Sequence, residues 1–180
     1  MNLENLTIGL DVVIHENVEI TRPNLCKIGN HVAIDSGFYC TTALEIGDYV
    51  HISPHVAVIG GKSTGLYVED FCFISVGSKI VCGSEYFEGQ GLVGPVIPEQ
   101  YRDKSLLEPV IFKRFSGICA GCIVLPGVTL AEGSILGANS LLKESTEPWT
   151  VYVGSPARPI KSRPKETMYE YAEKLGYCYV

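Results

Sequence analysis

Only four histidines, His15, His31, His51 and His55, offer this 180-residue chain a side chain that exchanges a proton near neutral pH. His51 and His55 stand together in "YVHISPHVAVIGG", and a nucleophile that must lose a proton needs such a base within hydrogen-bond reach. His55 is the first candidate base and His51 the second. Ser84, Glu85 and Tyr86 form a second polar group, able to hydrogen-bond hydroxyls or an amine. A third group lies in "ARPIKSRPK", where Arg158, Lys161, Arg163 and Lys165 cluster in an otherwise acidic chain, with Lys143 upstream. That cluster suits phosphates, or is a solvated basic segment ahead of a helix. "CAGC", Cys119 to Cys122, has the spacing of a zinc or redox pair.

The elements that must position these groups show themselves by a period of six. In "IVLPGVTLAEGSILGANSLL" hydrophobic residues recur at Val124, Leu130, Leu136 and Leu142. The same register runs back through Phe112 and Ile118, through Val68, Ile74 and Ile80, and through Ile28, Ile34, Cys40, Ile46, Ile52 and Val58 to Ile8, Ile14 and Ile20. Four residues after many anchors comes a small or β-branched residue, with Gly, Asp or Asn turns between, which describes a short strand and a bend. Three such strands close a triangular coil, and coils stack into a parallel β-helix. About six coils at ~4.8 Å give a prism of roughly 30 Å. The period predicts that Cys119 and Cys122 point to opposite faces of their strand, as small apolar fillers do.

The register slips after Ile20, after Val58 and after Ile80, in each case after a third strand, so all three insertions leave one corner. The last, Ser84 to Ile111, is longer than a connector needs, and its Tyr, Phe and Pro content favours an ordered arm. Another corner column reads Asn17, Gly37, His55, Gly77, Gly121, Asn139, a run of small residues that leaves a groove beside His55 or merely serves the bends. In the same way His31 stacks in a column with Tyr49. Residues 1–162 are expected to form the β-helix with its arm at 84–111, and residues 163–180 a helical cap over the open end, where Met168, Tyr171, Ala172 and Leu175 fall at helical spacing.

Hydrophobic residues make up 46% and charged ones 19%, as in a folded soluble domain. A net charge of -6 argues against nucleic acid as partner. No signal peptide and no membrane span is evident, which points to the cytoplasm. Seven scattered cysteines show no disulfide framework.

The hexads, the arm and the tail together resemble the hexapeptide-repeat acyltransferases over roughly residues 8 to 163. "GVTLAEGSILGANSLL" and "YVGSPARPIK" resemble the coenzyme A end of that family. "YVHISPHVAVIGG", "SEYFEGQGLVGPVIPEQY" and "EPWTVYVGSPAR" resemble its branch of sugar O-acetyltransferases and nucleotide-sugar N-acyltransferases of surface-polysaccharide biosynthesis. The resemblance implies a left-handed parallel β-helix and a homotrimer. It also implies an acyl-CoA donor, acetyl-CoA in the common case, and a sugar or nucleotide-sugar acceptor, with no metal. Coenzyme A is then placed along Gly121, Ala138, Lys143, Arg158 and Lys161, the acceptor against Ser84, Glu85 and Tyr86. The branch leads one to expect two acidic residues after the serine and a glutamate before the glycine-leucine; Glu85 keeps one, while Tyr86 and Gln90 depart from the pattern. Two alternatives stay open: a zinc site shared between subunits, as in the gamma carbonic anhydrases, and a non-catalytic scaffold.

Overall fold

The computed structural model of the chain describes residues 6–179, so the outermost limits of the two expected domains, residues 1–5 and residue 180, lie outside the described residues. Hexad anchors become the inward side chains of three parallel sheets, the faces of a solenoid. The first face stacks Ile8, Ile28, Ile46, Val68, Phe112 and Leu130 in register. The second stacks Ile14, Ile34, Ile52, Ile74, Ile118 and Leu136. The third stacks Ile20, Cys40, Val58, Ile80, Val124 and Leu142. Every anchor is buried except Ile8 and Ile14, in the first turn. Burial of each large anchor contributes roughly 1.5–3 kcal/mol, and the backbone loses no hydrogen bond in return, because each turn pairs with the next. Gly29 donates to the Ile46 carbonyl at 2.8 Å, and Gly47 to that of Val68 at 2.7 Å.

The structure has about seven turns where the period predicts about six. Past Leu142 the chain leaves the hexad register, yet Thr146 still occupies a first-face position: its amide donates to the Thr129 carbonyl at 3.0 Å and its hydroxyl to Ser134 Oγ at 2.8 Å. Strand Thr150–Gly154 then pairs parallel to Ile135–Leu136 and starts the extra turn, with Tyr152 as its inward residue. An antiparallel partner, Ala157–Ser162, completes the end of that sheet.

All three insertions do leave the corner between the third and first faces. The long one begins as Gly83–Glu85 and returns antiparallel as Ser105–Leu107. Its arm is held by Asp103, almost fully buried, whose carboxylate accepts from the amides of Gly89 at 3.2 Å and Lys104 at 2.8 Å.

The corner between the first and second faces carries Asp11, His31, Tyr49, Phe71, Phe115 and Gly133, all at positive φ. Left-handed backbone costs a non-glycine residue roughly 1–2 kcal/mol. Ring stacking offsets it: centroids lie 4.5 Å apart for His31 and Tyr49, 5.2 Å for Tyr49 and Phe71, and 5.3 Å for Phe71 and Phe115. Such pairs contribute about 0.5–1.5 kcal/mol each beyond burial. Trp149 takes the next rung by lying across Gly133, where a β-carbon would collide with its indole.

The C-terminal helix, Glu166–Lys174, lies along this ladder and not over the open end of the stack, which differs from the cap expected for residues 163–180. The ladder explains the difference, since it presents an aromatic ridge that the tail can bury. Tyr169 donates to Glu132 at 2.9 Å, Tyr177 to Asp48 at 2.6 Å and Tyr179 to Asp70 at 2.6 Å, so the tail descends the prism as far as the third turn and then turns back to the fourth. Its bond to Asp48 pushes the Tyr177 hydroxyl up to about 12. At Asp48 burial acts upward, but bonds from the Asn30 amide, Tyr177 and the Asn30 side chain hold the carboxyl below its ordinary value.

Those shifts set the pH window of the clasp. The Asp48 contribution is present above the ordinary carboxylate pKa and disappears as pH falls through the lower folded value. The Tyr177 contribution is present below the ordinary phenol value of 10.0 and disappears as pH rises toward about 12. Hydrogen exchange of the tail amides, corrected for intrinsic rate, should therefore show level protection from about pH 5 to 9 and losses beyond both limits. Tyr177→Phe should move the alkaline loss to higher pH.

Candidate active site

At the corner between the second and third faces the column predicted from the sequence is real. Gly37, His55, Gly77, Gly121 and Asn139 all have positive φ, which is why glycine and asparagine recur there. Each side chain in the column leans over the residue one turn below it. The His55 imidazole covers Gly37, and the Asn139 carboxamide covers Gly121. Above Gly77 stands Gly121, which has nothing to lean, so a β-carbon at Gly77 would meet no atom within 4 Å. A slot opens at the fourth turn. His55 bounds it below and Asn139 above, about two coil spacings of ~4.8 Å without a side chain.

His55 is exposed, and neither ring nitrogen has a hydrogen-bond partner among the described residues. His51 lies on the second face with Nε2 2.8 Å from Asp35 Oδ2, and His15 Nε2 is 3.9 Å from the other oxygen of that carboxylate. His31 Nδ1 is 2.9 Å from Asp11 Oδ2 and its ring stacks on Tyr49, as the register predicts. Of the four, His55 alone combines the slot with unengaged nitrogens.

Ser84 and Glu85 line a cleft of about 710 Å³ at the base of the arm, together with Gly61, Lys62 and Ser63 of the shorter insertion and Glu99 and Arg102 of the arm. Tyr86 does not line it and is 50% exposed one residue farther along the arm. This cleft belongs to the third-to-first corner and the slot to the second-to-third corner, with the third face between them. His55 does not line the cleft that holds Glu85.

At the far end Lys143 and Arg158 line one cleft of about 230 Å³. Lys143 Nζ lies 3.2 Å from Glu144 Oε1, and Arg158 donates to the Ala157 carbonyl at 2.9 Å. Lys161 is exposed on the outer strand opposite Val151, and Ala138 is exposed beside Asn139 at the slot's upper edge. Arg163 departs from the basic cluster. Its guanidinium donates to the carbonyls of Phe115 at 2.9 Å and Gly133 at 3.0 Å and stands 5.8 Å from the Trp149 ring, while burial pulls its pKa down. It pins the hairpin to the ladder.

In "CAGC", Cys122 is fully buried and its thiol donates to the Gly137 carbonyl at 3.1 Å. Burial pushes that thiol up, away from the thiolate a redox pair or metal site uses. Among the described residues no three or more His, Cys, Asp and Glu side chains are grouped to hold a metal ion.

No family model matches the chain. Individual proteins match it along most of its length. A dTDP-4-amino-4,6-dideoxy-D-glucose acyltransferase of Escherichia coli is 35% identical over 168 residues, covering 90% of this chain and 84% of the relative. A variant of AntD, an N-acyltransferase from Bacillus cereus, solved with dTDP-4-amino-4,6-dideoxyglucose and coenzyme A, superposes with a TM-score of 0.89 at 34% identity, over 96% of this chain and 91% of that one. AntD with dTDP and 3-hydroxybutyryl-CoA gives the same TM-score and identity, over 96% and 92%.

This chain belongs to the hexapeptide-repeat acyltransferases. Its branch is that of the sugar and nucleotide-sugar enzymes.

For the acyltransferase, the period placed His55, Gly77 and Gly121 in one column and the arm at one corner. It did not single out Asp35, although the register puts that residue one past an anchor and within reach of His51. Nor did it single out Lys62 and Arg102, whose meeting depends on how two insertions fold. The pin assigned to Arg163 has a direct check. Arg163→Met leaves two carbonyls without their charged donor, so denaturant unfolding should show a loss of about 2 kcal/mol with coenzyme A affinity unchanged.

Proposed function

We propose that this acyltransferase moves an acyl group, acetyl in the simplest case, from acyl-CoA to the amine of a dTDP-linked 4-amino-4,6-dideoxy sugar. The carrying observation is that similarity to AntD solved with that amino sugar and coenzyme A extends over 96% of this chain. The reaction belongs to surface-glycan biosynthesis in the cytoplasm, with neither a metal nor nucleic acid taking part.

The pantetheine arm of the donor runs through the slot at Gly77 and Gly121, past Ala138, with the phosphates toward Lys143, Arg158 and Lys161. The neutral amine attacks the thioester carbonyl, and backbone amides hold the developing oxyanion. A carbon–nitrogen bond forms, the carbon–sulfur bond breaks, and the departing thiolate recovers the amine's proton, directly or through His55. No covalent enzyme intermediate is needed. His51, held by Asp35, is the second candidate base.

The separation of slot and arm cleft supports a homotrimer, in which the arm of one copy closes over the slot of the next. The arm has the apolar surface for it: Phe87 is 65%, Leu92 60% and Val96 90% exposed. Ser84, Glu85 and Tyr86, consecutive on that arm, then face the amino sugar together.

Mass spectrometry after incubation with acetyl-CoA should show an acetyl gain on the dTDP-linked amino sugar and none on its 4-hydroxyl analogue; gain on the hydroxyl compound alone would overturn N-acylation. With an amine acceptor, His55→Ala should cost less than about tenfold in kcat/KM, whereas hydroxyl transfer would lose ~100-fold or more. Gly77→Asn tests the slot, because Asn139 shows that asparagine accepts this corner's backbone. That variant should melt close to the parent, while its coenzyme A affinity falls by at least about tenfold.

A further inference from the structure

The chain carries 14 Lys and Arg against 20 Asp and Glu, and most of these cations have a partner. Lys27, Lys104, Lys113, Arg114, Lys143 and Lys174 pair with carboxylates. Arg22, Lys79, Arg158 and Arg163 donate to carbonyls. Among the described residues Lys62, Arg102, Lys161 and Lys165 have neither, and two of these, Lys62 and Arg102, line the same cleft at the base of the arm.

Their positions are built. Arg102 is half-buried and its guanidinium has no acceptor among the described residues, which leaves its donors available to a ligand in the cleft. Its backbone is fixed by a bond to the Glu99 carbonyl at 3.2 Å, by the buried carboxylate of Asp103 next to it, and by Gly91, where a β-carbon would stand 2.6 Å from the Arg102 carbonyl carbon. Lys62 sits on a loop pinned from below, where Thr41 Oγ1 donates to the Gly60 carbonyl at 3.1 Å and Thr42 Oγ1 to that of Gly61 at 2.8 Å. The amides of Gly61, Lys62 and Ser63 donate to no acceptor among the described residues. Glu85 and Glu99 line the same cleft without an ion pair among the described residues.

We infer that this cleft holds the diphosphate of the nucleotide-sugar acceptor, with Lys62 and Arg102 as its ligands. The inference rests on the acyl-acceptor reading above. Two cations and three free amides suit adjacent phosphates. The carboxylates of Glu85 and Glu99 in the same cleft disfavour a ligand that is anionic throughout, such as the phosphate end of coenzyme A, and suit one that also carries an amine. The fork of Arg102 binds two phosphate oxygens at once, and Lys62 acts as a point charge.

Calorimetry with dTDP, with thymidine and with coenzyme A separates the contributions. Lys62→Met and Arg102→Met should each weaken dTDP by at least about tenfold, leave coenzyme A unchanged, and raise KM for the nucleotide sugar more than they lower kcat. Arg102→Lys should fall between Arg102→Met and the parent. Lys62 is exposed on a loop, so its variant reports even where Arg102→Met fails to fold. Tight dTDP binding in Lys62→Met and Arg102→Lys alike, with the parent still acylating the dTDP sugar, overturns the diphosphate assignment and leaves the acceptor reading standing. A parent that binds coenzyme A and acylates only free sugars overturns both.

Discussion

Coil-on-coil register is the constraint from which the rest of this molecule follows. Each turn must set its three anchors directly over those of the turn below, because only then do parallel backbones pair at ~4.8 Å and apolar side chains fill the prism without voids. Once that holds, every outward position belongs to a column, and a column's content decides what stands on the surface. A ring at each rung makes a ladder, as from His31 to Phe115. Two glycines in succession make a gap, as at Gly77 and Gly121.

The same repetition concentrates backbone strain. Left-handed residues recur at the corners, and non-glycine side chains at those sites need compensation. Along the first-to-second corner stacking supplies it, and the ridge so formed becomes the seat of the C-terminal tail. Three tyrosine hydroxyls on carboxylates then couple the tail to turns far apart in sequence: Tyr177 meets Asp48 across 129 residues. Arg163 ties the terminal hairpin to the same ridge. The tail thus belongs to the flank of the prism, and the parallel stack ends in a hairpin with an antiparallel outer strand.

The proposed function uses the two remaining corners. One keeps the regular turn and thins it to glycine, leaving a slot beside His55. The other accepts insertions, which a solenoid tolerates because loop residues there do not interrupt the stacked strands. The arm and the short loop fold against each other into a cleft with charges of both signs. The third face separates the two corners, and the proposed trimer would join them through the exposed apolar residues of the arm.

The period of six determined a great deal by itself. Hydrophobic residues every six positions have one economical use, and the predicted anchors, the columns of His55 and of His31 with Tyr49, and the common corner of the insertions all follow from counting, because a solenoid converts sequence spacing directly into spatial register. Counting ends where the period ends. The seventh turn lies outside the hexad phase: Thr146 holds its first-face place through hydrogen bonds that no spacing displays, and Tyr152 follows on the second face. The tail's helical pattern was legible, whereas its seat on the ladder was not, since amphipathic spacing says that a face is buried and not against what. The removal of Arg163 from the basic cluster, and the meeting of Lys62 with Arg102 in one cleft, belong to the tertiary structure alone. In those places the chain departs from its repeat, so position is set by contacts between segments with no common period, and only the folded molecule brings them together.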